Sequence, residues 1–180
     1  VQFDFGDAPE SYGTLFDADG ARHVISGSSL WLGARVSAEP DGRPSPGADA
    51  DDDDDGVVWD QTVLNQYVST PVTVLASARG YLDAWIDFNR NGNWNDPGEQ
   101  VFTSQQVAAG ANKLTIHTPA DAQVGETYAR FRVSTMGGLR PQGMAVDGEV
   151  EDYLVKIVGG APPVAGDDSY ATTEDNVLDV

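Results

Sequence analysis

The segment between Asp87 and Glu99 carries the residues with the clearest chemistry in the chain. It places side-chain oxygens at Asp87, Asn89 and Asn91 and follows them with Gly92. That is the one-three-five spacing, with glycine at the sixth position, of a loop that closes around Ca²⁺. Such a cation takes about six to eight oxygens at roughly 2.3–2.6 Å, and glycine permits the backbone reversal that gathers them. Because Glu99 stands at position thirteen instead of twelve and no helical pattern flanks the segment, we predict a calcium loop between β-strands.

Most predicted ligands of this loop are side-chain oxygens. Asn93 is expected to bind through its backbone carbonyl, and Asp96 is an additional side-chain ligand. The full predicted set is Asp87, Asn89, Asn91, Asn93, Asp96 and Glu99. The other interpretation of the same residues is a polar Asn/Gly hairpin loop without a metal.

The chain is strongly acidic, and its acids are clustered. Its 180 residues contain 10 Lys and Arg against 29 Asp and Glu, a formal charge of −19. This charge argues against nucleic acid and anionic membrane surfaces as partners. Asp49 and residues 51–55 put six carboxylates into seven positions. Neighbouring charges a few Å apart repel by about 1 kcal/mol even in water, so we expect either a divalent cation among them or an extended, solvated run.

The acidic sequence DGEVEDY, with Asp147, Glu149 and Asp152, is a second candidate for metal binding. We expect it to join part of the aspartate run, through Asp53 and Asp55, in a second calcium site. Glu149 and Glu151 fall on one face of a strand and repel unless a partner intervenes. A ladder with Arg130 and Arg132, which show the same two-residue spacing, is the alternative explanation.

Apolar and polar residues alternate with period two through much of the chain. Leu82, Ala84 and Ile86 share one face of a predicted strand, and Trp85 lies on the other. Similar runs occur at residues 72–76, 113–117, 129–133 and 150–158. With 20 Gly and 10 Pro as punctuation and no helical stripe, this pattern predicts an all-β fold, an antiparallel β-sandwich of jelly-roll type with long calcium-binding loops.

Composition also divides the chain. Residues 1–158 are predicted to form the β-sandwich domain, and residues 159–166, GGAPPVAG, have linker composition. Residues 167–180 look like the first strand of a following module, cut off before it could fold. The chain has no cysteine, which rules out disulfides and Cys-based zinc sites. No apolar run approaches the roughly 20 residues that span a bilayer, so we expect no membrane insertion.

Several motifs in order resemble the GEVED domain of large secreted and surface-attached bacterial proteins. They are DFGDAPESYGT, EPDGRP, AWIDFNRNGNW, RFRVS and DGEVEDYLV, and the likeness covers residues 3–158. The resemblance implies a β-rich extracellular module of an adhesin-like protein. Ala38 stands where another acid is expected. The tail is similar to the entry of a cadherin-like or immunoglobulin-like repeat, which implies Asp167 and Asp168 as calcium ligands at the joint between modules.

We therefore expect a non-catalytic calcium-binding module of a large secreted bacterial adhesin, secreted or on the bacterial cell surface. Its partners would be neighbouring modules of the same chain and a cell-surface glycan or protein ligand. His23 and His117 are the two imidazoles, and neither HExxH nor GxSxG occurs, so we expect no enzyme. The alternative is a calcium-dependent carbohydrate-binding module attached to a secreted hydrolase. It would use Trp94, within the loop, and Trp85, expected to be partly exposed.

Overall fold

A computed structural model describes residues 1–51, 53–60 and 63–162 of the chain. These residues form an all-β fold with eleven strands and two 3-10 turns, Glu10–Tyr12 and Phe16–Ala18. The strands are β1 (Phe3–Phe5), β2 (Arg22–Val24), β3 (Val57–Trp59), β4 (Val63–Asn65), β5 (Ser69–Ala76), β6 (Gly80–Ile86), β7 (Gln100–Val107), β8 (Gly110–His117), β9 (Gly125–Ser134), β10 (Met144–Ala145) and β11 (Glu149–Val158).

The strands form three sheets. The largest has the order β4-β11-β9-β6-β7, and two three-stranded sheets have the orders β3-β5-β8 and β1-β2-β10. Most neighbours are antiparallel, as predicted. Two short pairings are parallel, β10 with β2 and β11 with β4, so the expectation of a wholly antiparallel arrangement is wrong. Both join strands far apart in sequence, which no local turn signal could indicate.

The main core lies between the five-stranded sheet and the β3-β5-β8 sheet. Leu82, Ala84 and Ile86 of β6 are fully buried in it, as their period-two spacing predicts. Val74 of β5 and Ile116 of β8 belong to the same cluster and are equally inaccessible.

The opposite face of the five-stranded sheet is also covered. Trp85, on that face of β6, packs in a second cluster with Ala8, Tyr12 and Trp94. The N-terminal segment and the loop after β6 therefore cover this face, and the expected partial exposure of Trp85 is wrong, since the residue is 3% exposed. β6 is therefore buried on both sides, which period-two alternation alone does not indicate.

The edge of β11 opposite β9 is only partly paired with a strand, and the Asp4 carboxylate binds there. β9 pairs with β11 from Glu149 to Ile157, whereas β4 pairs only with Lys156, Ile157 and Val158. At the edge opposite β9, the Val150 amide donates to the side-chain carboxylate of Asp4 in β1 and not to the backbone of a neighbouring strand. The first half of β11 thus meets side chains and loops along this edge.

The chain beyond β11 is described in part. β11 ends at Val158. The predicted linker at 159–166 is described as far as residue 162, and the predicted strand at 167–180, with Asp167 and Asp168, lies outside the described residues. Among the described residues, no helix has the length and apolar character needed to cross a membrane.

Candidate metal sites

Asp87 anchors the predicted calcium loop through a buried, hydrogen-bonded carboxylate. It follows β6 directly and its side chain is completely buried. Its Oδ2 accepts hydrogen bonds from the Tyr12 hydroxyl at 2.6 Å and the Gly92 amide at 2.9 Å, and its Oδ1 accepts one from the Asn91 amide at 3.2 Å. Gly92 has a φ of +85°, the left-handed conformation expected of the glycine at the turn. One carboxylate therefore ties the loop both to itself and to the N-terminal segment.

The asparagines continue the turn by a repeated contact. The side-chain oxygens of Asn89, Asn91 and Asn93 each accept a hydrogen bond from the amide two residues further on, at 3.0, 3.2 and 2.8 Å. These Asx turns curl the backbone. The side-chain amide of Asn91 also donates to Asp96 Oδ2 at 2.7 Å, so alternate side chains of the loop do meet.

Glu99 closes the loop at its other end. It is 2% exposed, and its Oε2 accepts a hydrogen bond from the Asp96 amide at 3.2 Å. Burial, together with the nearby charges of Asp87 and Asp96, raises the pKa of Glu99 to about 7, although its hydrogen bonds act in the opposite direction. Among the described residues, neither Asp87 nor Glu99 forms a salt bridge. The loop thus holds two buried acids without a protein cation.

The Asn91 side chain has contacts on both sides. Its Nδ2 donates to Asp96, and its Oδ1 accepts hydrogen bonds from the Asn93 amide at 3.2 Å and the Asn93 side chain at 2.7 Å. A cavity of about 360 Å³ opens beside the loop and gives access to it; Phe88, Asn89, Pro97 and Glu99 are among its lining residues.

The two tryptophans predicted to bind a ligand are structural. Trp94 is 2% exposed; its ring centroid lies 4.4 Å from that of Tyr12 and 4.4 Å from the Arg130 guanidinium carbon. Its Nε1 donates to the Tyr128 carbonyl at 3.1 Å. Trp85, in the same cluster, is also buried. Neither ring offers a face to a sugar, so the geometric basis of the carbohydrate-binding interpretation is wrong.

Three residues of the predicted second site are occupied by other partners. Asp53 Oδ1 lies 2.5 Å from Arg35 Nε. Asp55, which is exposed, accepts a hydrogen bond from the Ala34 amide at 2.8 Å. Asp147 binds the amide and the hydroxyl of Thr135, at 2.9 and 2.5 Å. Asp53 and Asp55 lie in one turn, in which the Asp55 amide donates to the Asp53 carbonyl at 2.8 Å, whereas Asp147 contacts Thr135.

Asp152 is neutralised by Arg130, and the predicted Arg/Glu ladder is wrong. Arg130 donates through Nε and Nη2 to Asp152 at 2.7 and 2.6 Å, and both side chains are fully buried. The register pairs Asp152 with Arg130 and Glu151 with Phe131, so the glutamates lie on the opposite, core-facing side of the sheet. The second arginine, Arg132, donates to His23 Nε2 at 2.9 Å instead.

Glu149 and Glu151 are buried acids at the end of the main core. Glu149 accepts a hydrogen bond from the Leu32 amide, and Glu151 accepts them from the Gly56 amide at 2.8 Å and the Tyr153 hydroxyl at 2.9 Å. Burial raises the pKa of both above the ordinary value, and the Asp4 charge raises that of Glu149 further. Buried carboxylates with raised pKa values are therefore concentrated at this end of β11.

Comparison with known proteins gives one match. Residues 81–156 match the family model of the GEVED domain, which confirms over that range the resemblance expected for residues 3–158. The matched range runs from β6 through the Asp87 loop to β11. No curated protein and no solved structure matches the chain.

Proposed function

We propose that the chain is a calcium-binding, non-catalytic module of a large secreted bacterial surface protein, built as a jelly-roll-like β-sandwich. The observation that carries this proposal is the loop at residues 87–99. It places the buried acids Asp87 and Glu99 at its two ends, where their charges act on each other and neither forms a salt bridge among the described residues. The likeness of residues 81–156 to the GEVED domain supports the surface-protein context.

Calcium fits this loop better than a transition metal. Every candidate ligand is an oxygen of Asp, Glu or Asn, the donor type that hard cations prefer, and cysteine is absent from the chain. Magnesium demands a nearly ideal octahedron and keeps several waters, whereas calcium accepts irregular sets of protein oxygens. The millimolar calcium outside cells suits a site of modest affinity.

The ion would act on the fold. The loop joins β6 to β7, and Asp87 also holds Tyr12 of the N-terminal segment. Calcium would fix both against the sheet and so keep the module rigid in a multidomain chain. Neighbouring modules, a surface glycan or a protein ligand are the partners this role implies, and attachment or ligand contact is the activity.

The histidines support a non-catalytic role. Burial and the Arg132 charge hold the pKa of His23 well below its usual value, and its Nδ1 donates to the Asp147 carbonyl. His117 is exposed, and its Nδ1 lies 2.6 Å from Ser69 Oγ on the neighbouring strand. Both imidazoles have contacts typical of structural residues.

Substitution in the loop tests the calcium assignment. We expect the pair Asp87→Ala and Asn91→Ala to weaken calcium binding at this site by roughly tenfold or more, because it removes one buried carboxylate and one amide oxygen. Asp87→Asn, which keeps the hydrogen-bond acceptor for Tyr12, should lose affinity too. Terbium luminescence sensitised by tryptophan, with calcium as competitor, measures the affinity, and the loop variants identify the part of the signal that comes from this site.

Asp53→Ala is the matched control, since it removes one carboxylate that is already bound by Arg35. It should leave terbium affinity within about twofold of the unsubstituted protein. Equal affinities for the loop variants and the control would contradict the calcium assignment.

A further inference from the structure

Three carboxylates from distant parts of the chain meet at the open edge of β11. Ligand oxygens of Asp4, Glu39 and Asp51 all lie within 4.8 Å of one another. Asp4 is 1% exposed and the other two are half-buried. None of the three belongs to the loop at residues 87–99, so this group is independent of the site proposed above.

Backbone amides hold all three carboxylates in place, and Asp51 Oδ1 accepts a hydrogen bond from the Asp53 amide at 3.0 Å. Asp4 Oδ2 accepts a hydrogen bond from the Val150 amide at 2.7 Å, at the edge of β11. Glu39 Oε2 accepts one from the Phe5 amide at 3.2 Å, and its Oε1 accepts one from the Ser37 hydroxyl at 2.7 Å. The carboxylates are therefore positioned by the fold and cannot simply move apart.

The charge of Arg132 acts on Asp4, but no ion pair joins these two residues. Among the described residues, neither Asp4 nor Glu39 forms a salt bridge. Burial raises the pKa of Asp4 well above its ordinary value, and the charges of Glu39, Asp51 and Glu151 raise it further. Arg43 favours the charged form of Glu39 but forms no ion pair with it.

A buried oxygen beside the group points independently to a missing ligand. Asp7 is 1% exposed, and its Oδ2 accepts hydrogen bonds from the amides of Ala50 and Asp51 at 2.6 and 3.1 Å. Its Oδ1 is buried and has no hydrogen-bond partner among the described residues. The hydrogen bond from the Asp51 amide places the Asp7 carboxylate next to this member of the group. Buried polar atoms are nearly always satisfied in folded proteins, so Oδ1 needs a partner that the described residues do not supply.

Asp54, like Asp7, has one unpartnered carboxylate oxygen. Its Oδ2 is also buried without a hydrogen-bond partner among the described residues. The charges acting on it include those of Asp7 and Asp51, and burial raises its pKa strongly. Two unsatisfied carboxylate oxygens thus border one group of three acids.

We propose that Asp4, Glu39 and Asp51 bind a hard divalent cation of the calcium type, next to the buried carboxylate of Asp7. All three donors are carboxylate oxygens, which favour calcium over metals that prefer nitrogen or sulfur. The cation fastens β1 and the acidic run to the edge of β11, where a pairing strand is replaced by the Asp4 contact. It also compensates the repulsion that the acidic run creates.

Equilibrium dialysis tests this second site: metal-free protein is dialysed against calcium, and the bound ions are counted. We expect Asp4→Asn to bind one calcium fewer than the unsubstituted chain, and Glu39→Gln to weaken the same site by roughly tenfold or more. Asn at position 4 keeps an oxygen for the Val150 amide. Asp17→Asn, which removes one exposed charge, is the matched control and should bind calcium as the unsubstituted chain does.

Thermal unfolding separates a metal ligand from a merely structural residue. In chelator, Asp4→Asn should unfold no lower than the unsubstituted chain, because Asn keeps the acceptor for the Val150 amide and carries no charge to bury. In calcium it should unfold below the unsubstituted chain, because one ion is lost. Lower Tm values in both conditions, with the calcium count unchanged, would overturn the proposal.

The same dialysis experiment distinguishes the two proposed sites. If Asp87→Asn binds as many ions as the unsubstituted chain while Asp4→Asn binds one fewer, the edge site stands and the loop assignment fails. The reverse result overturns the edge site alone. If Asp4→Asn does not fold, Glu39→Gln decides: unchanged calcium affinity in that variant overturns the proposal.

Discussion

Arg130→Met is expected to lower the free energy of unfolding by about 3–5 kcal/mol, because it leaves the buried Asp152 carboxylate without its cation. Arg130 is inaccessible to solvent, binds Asp152 through two nitrogens and donates Nη1 to the Pro141 carbonyl at 2.8 Å. Its guanidinium also packs on Trp94. Urea unfolding followed by circular dichroism, at saturating calcium, measures the loss.

Arg79→Met is the control for this experiment, since Arg79 is exposed between β5 and β6. It should change the free energy of unfolding by about 0.5 kcal/mol or less. Adding Asp152→Asn to Arg130→Met should recover part of the loss, because the uncompensated charge is then removed. Similar losses for Arg130→Met and Arg79→Met would contradict the role given to the buried pair.

Trp94→Ala is expected to cost about 3–5 kcal/mol of stability, the range typical of a large buried aromatic residue. The ring packs against Tyr12 and beneath Arg130, and its Nε1 bonds to the Tyr128 carbonyl. Because it anchors the middle of the Asp87 loop, calcium affinity should fall as well. Differential scanning calorimetry with and without calcium measures both effects.

Trp31→Ala is the matched control, because Trp31 is only half-buried. Its substitution should cost less than half as much, since less apolar area returns to water. Equal losses at the two positions would contradict the structural role of Trp94. A loss of sugar binding in Trp94→Ala would by itself say little, because the substitution removes core packing.

The sequence predicted those features whose signal is local. The apolar row Leu82, Ala84 and Ile86 follows from period two, and it faces the main core as expected. The spacing of Asp87, Asn89 and Asn91 predicted a turn around the glycine at position 92, and the hydrogen bonds form that turn. Both features depend on residues within about a dozen positions of one another.

Features that depend on distant segments could not be predicted. Trp85 was expected to be partly exposed because nothing near it indicates that residues 8–12 cover that face of the sheet. Arg130 was matched with the glutamates on spacing alone, whereas the register places it opposite Asp152. Strand register and layer order are fixed by the whole core, and a single strand does not contain that information.

The group of Asp4, Glu39 and Asp51 at the edge of β11 also depends on distant segments and could not be predicted. Asp4 and Glu39 lie in the motifs DFGDAPESYGT and EPDGRP and were not predicted as ligands, because no motif relates positions 4, 39 and 51. One local signal was available: Asp4 stands between Phe3 and Phe5 in a short strand, and an acid in an apolar strand needs a partner. That signal indicates a buried contact and leaves its identity open.

The central claim is that calcium compensates buried acids, and thermal unfolding across pH tests it most directly. Burial raises the pKa of Asp7 and of Glu99 to about 7, above their values of about 4 in the unfolded chain. The folded state therefore binds more protons between those values, and this contribution to metal-free stability is lost as pH rises from about 4 to about 7.

Calcium binds the deprotonated carboxylates, so it should raise Tm most above that range. At a hundredfold excess over Kd the gain is about 2.7 kcal/mol for one site, or roughly 5–10 °C for a chain of this size. We predict a rise of this size at pH 7.5 and a much smaller one at pH 5. An equal Tm in chelator and in millimolar calcium at pH 7.5 would contradict the account.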